Sequence, residues 1–445
     1  MLILFAAFVT LSINSCNDAP GPIGSELVPN SNLQLFTISN DTLPLIVSTA
    51  IGQITPKMAT ELAFTSSNSP FFVGAARTPD GDRFTATAYL RYQLPVVSDS
   101  IRGADYAGLT ANDIIDVRLF LRPGACLLGD TINKVSPFSV YEIRQRWYND
   151  SITRVRTVPT AQMLTSQPRL ANYSQQLSGG QINASGILSR KRPLTLNDKA
   201  MFANWILADS AKWANNIFGL ALVPSDDASA LFRFDESSYI VVRFKRPQDS
   251  VERILTITED AQATIGSSPL PSNPASTEIM VQGGIAHRTS LLFDLSASIP
   301  ELATIHQAEL ILPVDSVRSL VSTCGFPRSV QLSFAPSDNR FGIDTTARIN
   351  AFGELNTTTG TIRYIFASGT NTSPNMVGII QRLVKLEGRK GQLSLHFVPQ
   401  AVSQSQVFRG EEEQTFNRIV FRRLRGSANP ALRPRLTITY SLRPR

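Results

Sequence analysis

One succession of hydrophobic patterns occurs twice in this 445-residue chain, and no other feature constrains the fold so tightly. In the first half, residues 88–95 (AYLRYQLP) and 113–123 (DIIDVRLFLRP) alternate apolar with polar side chains, and in the second half 288–295 (RTSLLFDL) and 303–313 (ATIHQAELILP) do the same. Alternation at period two marks a half-buried antiparallel strand, because successive side chains leave opposite faces of a pleated sheet. It places Ile115, Val117, Leu119 and Leu121 on one face, matched by His306, Ala308, Leu310 and Leu312. Each half then continues alike. A helical stretch over 198–208, with Phe202, Trp205 and Ile206 on one side, precedes 218–224 (FGLALVP) and 239–244 (YIVVRF). In the second half Ser373 is the expected N-cap and Pro374 the first helical residue, with a stripe of Met376, Ile379, Ile380 and Leu383 and Gly388 as terminator. Residues 393–399 (LSLHFVP) and 435–440 (RLTITY) follow.

Strand, strand, helix, strand and closing strand, given twice, predict a mainly β protein of two tandem jelly-roll-like β-sandwiches, each with one short helix. The length supports two cores rather than one. The expected first sandwich spans 36–258, the second 277–445, and the Pro-, Ser- and Ala-rich stretch 259–276 is the expected linker.

Residues 2–13 (LILFAAFVTLSI) are uncharged and apolar, too few to span a bilayer but the right length for the hydrophobic part of a signal peptide. Asn14 and Ser15 lead directly into Cys16, which resembles the bacterial lipobox. This implies a signal peptide over 1–15, lipidation at Cys16 and a flexible Gly/Pro-rich tether over 16–35. The Ile23-Gly24-x-x-Leu27-x-Pro29 run after that cysteine resembles the domain-of-unknown-function 4270 family of Bacteroidota lipoproteins. A lipid anchor at the outer membrane is what the resemblance implies, with the periplasmic or outer face left open.

Eight of the 21 aspartates stand before Ser or Thr and then an aliphatic residue, Ala or Thr. That tripeptide is similar to the O-glycosylation acceptor of exported proteins in the same phylum, which makes Thr42, Ser100, Thr131, Ser151, Ser210, Ser250, Ser316 and Thr345 candidate glycan carriers. The competing reading is that Asp-Ser/Thr pairs mark turns and helix caps. The two repeated units also resemble carbohydrate-binding β-sandwich modules of the DNRLRE type. Phe293-Asp294-Leu295, the 308–312 strand, Trp147, Phe218-Gly219-Leu220 and the 434–440 closing strand carry that likeness, which implies non-catalytic glycan binding.

Little in the chain points to catalysis. There is no Gly-rich phosphate loop and no Gly-x-Ser-x-Gly elbow. The three histidines, 287, 306 and 396, all fall in strand-like segments and are expected as core residues, His306 on the apolar face. Asp80-Gly81-Asp82 and Asp226-Asp227 offer two carboxylates each, short of the six to eight oxygens of a calcium site. No catalytic residue, metal or cofactor is therefore expected. Cys126 and Cys324 occupy similar places in the two halves. Export would permit a disulfide, but their separate domains favour two buried thiols.

Trp147, Tyr148 and Trp213 are the candidate ligand contacts; core packing competes for Trp147, while Trp213, beside Lys212, is the best placed for exposure. The net charge of +7 is modest, which argues against a nucleic-acid partner. Eight arginines nevertheless crowd the final 28 residues, and Arg422, Arg423 and Arg425 are the candidate contacts for an anionic partner. The expected function is that of a lipid-anchored envelope protein binding glycan or another envelope component. The alternative is a scaffold subunit of an outer-membrane complex.

Overall fold

The computed structural model describes residues 34–40, 45–53, 70–93, 106–121, 123–130, 132, 136–149, 154–155, 160–173, 192–234, 238–248, 251–267, 278–325, 329–344, 346, 349–356, 358–364, 376–397, 401–402, 407–408, 412, 415–424, 429 and 432–442. The protein is mainly β, and all but four short strands of the described residues pair antiparallel in two eleven-stranded sheet systems, each enclosing its own hydrophobic core.

In the first system one layer is formed by Arg192–Thr195, Ile114–Leu121, Tyr239–Lys245 and the opening half of the long strand Glu252–Ser267. The opposite layer carries Arg169–Tyr173, Phe138–Glu142, Leu220–Pro224 and Arg83–Tyr92, with Phe71–Arg77, Ala230–Phe234 and Pro123–Gly129 alongside. Glu252–Ser267 belongs to both. It pairs with Tyr239–Lys245 up to Thr258, shifts register between Glu259 and Ala261, and then pairs with Arg83–Tyr92. A bulge at that corner lets one strand bend from one layer into the next. Residues 259–267, expected in the linker, are therefore strand and pair along the ladder with Arg83–Tyr92, while 268–276 lie outside the described residues. Val117, Leu119, Leu121, Leu220, Leu222, Ile240 and Val242 are fully enclosed between the layers. Two helices close one end, Lys199–Leu207 and Ser210–Asn216, each begun by an aspartate whose carboxylate accepts a backbone N–H, Asp198 from Met201 and Asp209 from Lys212.

The second system runs in the order Leu35–Ser39, Arg435–Ser441, Thr304–Pro313, Thr361–Tyr364, Asn350–Asn356, Ser329–Phe334, Lys390–Phe397, His287–Asp294, Ile279–Gln282 and Arg418–Phe421. Ile46–Gln53 pairs on the side of His287–Asp294. The helix Met376–Lys385 buries Met376, Ile379, Ile380, Leu383 and Val384 in this core, as its stripe predicts, and Gly388 follows it with φ 63°. Ser373 and Pro374 lie outside the described residues.

Two expectations change here. Leu35–Ser39 and Ile46–Gln53, placed by sequence in the first sandwich, pair instead with Arg435–Ser441 and His287–Asp294. The first sandwich is thus inserted between two parts of the second, and the first and last described strands lie side by side. The expected faces also change, at matched positions in the two repeats. Between Ile114 and Asp116 the ladder skips Ile115, so Ile114 enters the core and Ile115 does not. Between Ile305 and Gln307 it skips His306, so Ile305 is buried while His306 is exposed, its Nε2 2.6 Å from Ser441 Oγ. A bulge adds one residue to a period-two pattern and so reverses every face before it.

Candidate functional site

The two sandwiches meet at a seam built from three kinds of contact. Phe72, Ala76, Phe84, Ala86, Leu128 and Leu231 from the first pack against Ile285 and Phe416 from the second, with Phe416 edge-on to Phe72 at 5.1 Å and parallel to Phe84 at 6.2 Å. Beside this apolar cluster stands an ionic one. Arg318 grips Asp80 through Nε at 3.1 Å and Nη2 at 3.0 Å and reaches Glu278 at 2.5 Å, while Arg418, only 3% exposed, reaches Asp82 at 3.3 Å and Asp80 at 3.5 Å. The hydrogen bonds from Arg318 hold the Asp80 carboxyl below its ordinary pKa. The acidic pair considered as oxygen ligands is therefore occupied by guanidinium groups of the other sandwich. Among the described residues no group of three or more His, Cys, Asp or Glu is arranged for a metal.

The third contact is covalent. Cys126, on Pro123–Gly129, is joined by a disulfide to Cys324, with their Cα atoms 5.2 Å apart. Thr323 donates its backbone N–H to the Leu127 carbonyl at 2.9 Å, and the Leu127 N–H reaches Thr323 Oγ1 at 3.0 Å, which holds the two segments in bonding register. The expectation of two buried thiols fails because it treated the halves as independent. Their sequence equivalence does not show that insertion brings the two loops together.

Trp147 and Trp213 are not surface platforms. Trp147 is completely buried and donates its indole N–H to the Phe218 carbonyl at 2.8 Å; Trp213 is 7% exposed and donates to the Tyr92 carbonyl at 3.1 Å. Trp213 follows its helix inward, where it packs edge-on against Trp205 with ring centroids 5.7 Å apart. A local pattern of polar neighbours did not show which way a seven-residue helix turns. Tyr148 lies in the short strand Tyr148–Asn149.

Neither Trp147 nor Trp213 lines the cleft of about 410 Å³ that opens beside Trp205. Met201, Trp205 and Ile217 form its apolar floor, and Glu142, Asn204, Lys212 and Asn216 bring polar groups to it. Asn204 and Asn216 are exposed helix residues. Glu142 accepts from Arg144 Nε at 2.9 Å, and Lys212 lies 3.9 Å from Asp209, so each charge at the cleft has an opposite partner. Trp205, which lines the cleft, has its ring 6.3 Å from that of Tyr92, whereas Phe84 on the same strand is in the seam, eight residues and about 26 Å along the strand. The 198–208 pattern marked the first of the two helices in the sequence; the second helix and the two asparagines carry no distinctive local signal.

The remaining candidates are dispersed. Arg422 is 3.9 Å from Asp315, Arg423 is near enough to Asp80 to help lower its pKa, and Arg425 lies outside the described residues. Arg422 thus faces a carboxylate of this chain, while Arg423 is exposed. Ser210 opens its helix behind the Asp209 cap and is exposed, as is Ser316 in a turn. Asp130 and Asp344 accept the N–H groups of Ile132 and Thr346 two residues on, and with Asp209 they fit the turn-and-cap reading. Cys16, Thr42, Ser100, Thr131, Ser151, Ser250 and Thr345 lie outside the described residues.

His396 is fully buried, its Nδ1–H donating to the Phe397 carbonyl at 2.6 Å and its Nε2 accepting from Ser333 at 3.2 Å. Burial, and then the nearby Arg288, keep it neutral. Arg288 is itself locked to Glu412 by contacts of 2.8 and 2.6 Å within the interior. The imidazole and the hydroxyl are both enclosed, so the pair serves packing. No helix of the described residues is long and apolar enough to cross a membrane. No family model, curated protein or solved structure matches the chain.

Proposed function

We propose that this is a non-catalytic protein of the cell envelope, lipid-anchored through Cys16 at the outer membrane, whose inserted first sandwich binds glycan. The observation that carries this reading is the cleft between the two short helices and Glu142. Its volume is that of a small-ligand site, and an apolar floor ringed by two amides and two internally balanced charges suits a sugar ring, which has an apolar face and a periphery of hydroxyls. The Cys126–Cys324 disulfide supports an extracytoplasmic setting, since such bonds persist in oxidising compartments.

A glycan array probed with the wild-type protein and with an Asn204→Ala/Asn216→Ala variant tests the proposal. Each lost amide contact is worth about 1 kcal/mol, so the pair should weaken binding roughly thirtyfold. Absence of binding by the wild type to every glycan on the array would remove the reading.

A further inference from the structure

We infer that the outer face of the four-stranded layer in the first sandwich is a second contact surface, and that its occupant is a neutral polysaccharide chain. The inference rests on the glycan-binding reading of this sandwich and adds a different place and a different length of ligand. Val117, Leu119, Ile240, Val242, Leu255 and Ile257 face the core, so their alternate neighbours face outward. Register aligns those neighbours in rows across the strands. Pro193 stands opposite Phe120, Phe120 opposite Tyr239, and Tyr239 opposite Thr258. The next row is Thr195, Arg118, Val241 and Thr256.

The Phe120 and Tyr239 rings stack with centroids 4.8 Å apart and planes 11° from parallel. Both are half-buried, while Pro193, Thr195, Thr256 and Thr258 are exposed. Charge on this face is largely consumed within it. Asp116 receives Arg118 at 2.8 Å and Arg243 at 3.3 Å, and Arg243 also meets Glu252 at 2.7 Å, leaving Lys245 at the strand end. No field of one sign is left to select an anion or a cation. Aromatic and proline surface takes the apolar faces of sugar rings, and threonine hydroxyls both donate and accept to theirs.

Length follows from shape. Four strands span about 14 Å, and an open face of that width encloses no short ligand, so binding must be collected along an extended chain. The two rows cover roughly 200 Å², far below the ~800 Å² per side of a stable protein interface, which disfavours a protein occupant.

The test is affinity electrophoresis of the full chain through native gels containing laminarin, galactomannan or, as an anionic contrast, alginate. The wild type should be retarded in at least one neutral gel. A Phe120→Thr/Tyr239→Thr variant should lose at least tenfold in apparent affinity, and so should Thr256→Lys/Thr258→Lys, which leaves the core untouched should the first variant misfold. Asn204→Ala/Asn216→Ala should remain retarded. Retardation that survives the lysine variant, retardation confined to alginate, or free passage of the wild type through both neutral gels overturns the inference. So does a lysine variant whose only defect is loss of a protein complex. If the cleft variant alone abolishes retardation, this face is refuted while glycan binding stands; if no glycan binds on the array or in the gels, both fall.

Discussion

His287 sits in the interior, 1% exposed, and neither ring nitrogen has a hydrogen-bond partner. Burial, reinforced by the positive charge of Arg418, pushes its pKa from 6.5 down to about 4. The unfolded chain takes up a proton below about pH 6.5 and the folded chain does so only near 4, so between these values the unfolded state binds more protons. Stability contributed by the neutral ring is therefore complete above pH 6.5 and is lost as the pH falls toward 4. The full gap of about 2.5 units corresponds to roughly 3 kcal/mol, and about 2 kcal/mol of it should already be gone at about pH 5. His287→Met replaces the ring with an apolar side chain that makes no such demand, and removing an unsatisfied polar group costs little in itself. Urea unfolding at about pH 7.5 and 5 should show the wild type losing about 2 kcal/mol more than the variant over that interval. Other titrating groups, including the buried His396, are common to both proteins and cancel in the difference. Equal losses in the two proteins would refute the account of a buried, neutral His287.

Other consequences concern the seam and the anchor. A Cys126→Ser/Cys324→Ser protein should lose about 2–4 kcal/mol of stability, and the oxidised wild type should show neither thiol to a denaturing thiol assay. Arg418→Leu leaves Asp82 without its guanidinium partner while Asp80 keeps Arg318, and should cost about 1–2 kcal/mol in urea unfolding, whereas Arg422→Gln, on a half-exposed side chain 3.9 Å from its carboxylate, should change stability by less than about 0.5 kcal/mol. Near-equal effects would contradict the burial contrast between the two arginines. Cys16→Ser should release the protein from the outer-membrane fraction, and continued membrane fractionation would show that lipid is not the anchor.

By itself the sequence determined most of the local structure. Alternation marked Ile114–Leu121, His287–Asp294 and Thr304–Pro313 as strands, because a half-buried strand writes its two environments directly into neighbouring residues. The apolar stripe from Met376 to Leu383 marked a helix for the same reason at a different period. What lay beyond reach were decisions taken between distant residues. Nothing local states that Leu35–Ser39 pairs with Arg435–Ser441 rather than with its chain neighbours, that Cys324 meets Cys126, or that Asp80 and Asp82 are neutralised by Arg318 and Arg418. The bulges at Ile115 and His306 are similarly silent, since a single skipped residue leaves composition unchanged while reversing the faces. Trp213 shows the same limit at one side chain: its neighbours are polar, yet the Tyr92 carbonyl, remote enough to be supplied only by folding, and the Trp205 ring of the preceding helix draw it inside. Periodicity fixes what each segment can be. Partner, register and which polar groups are jointly buried are set by the tertiary structure, where the free energy of removing surface from water is shared among elements far apart in the chain.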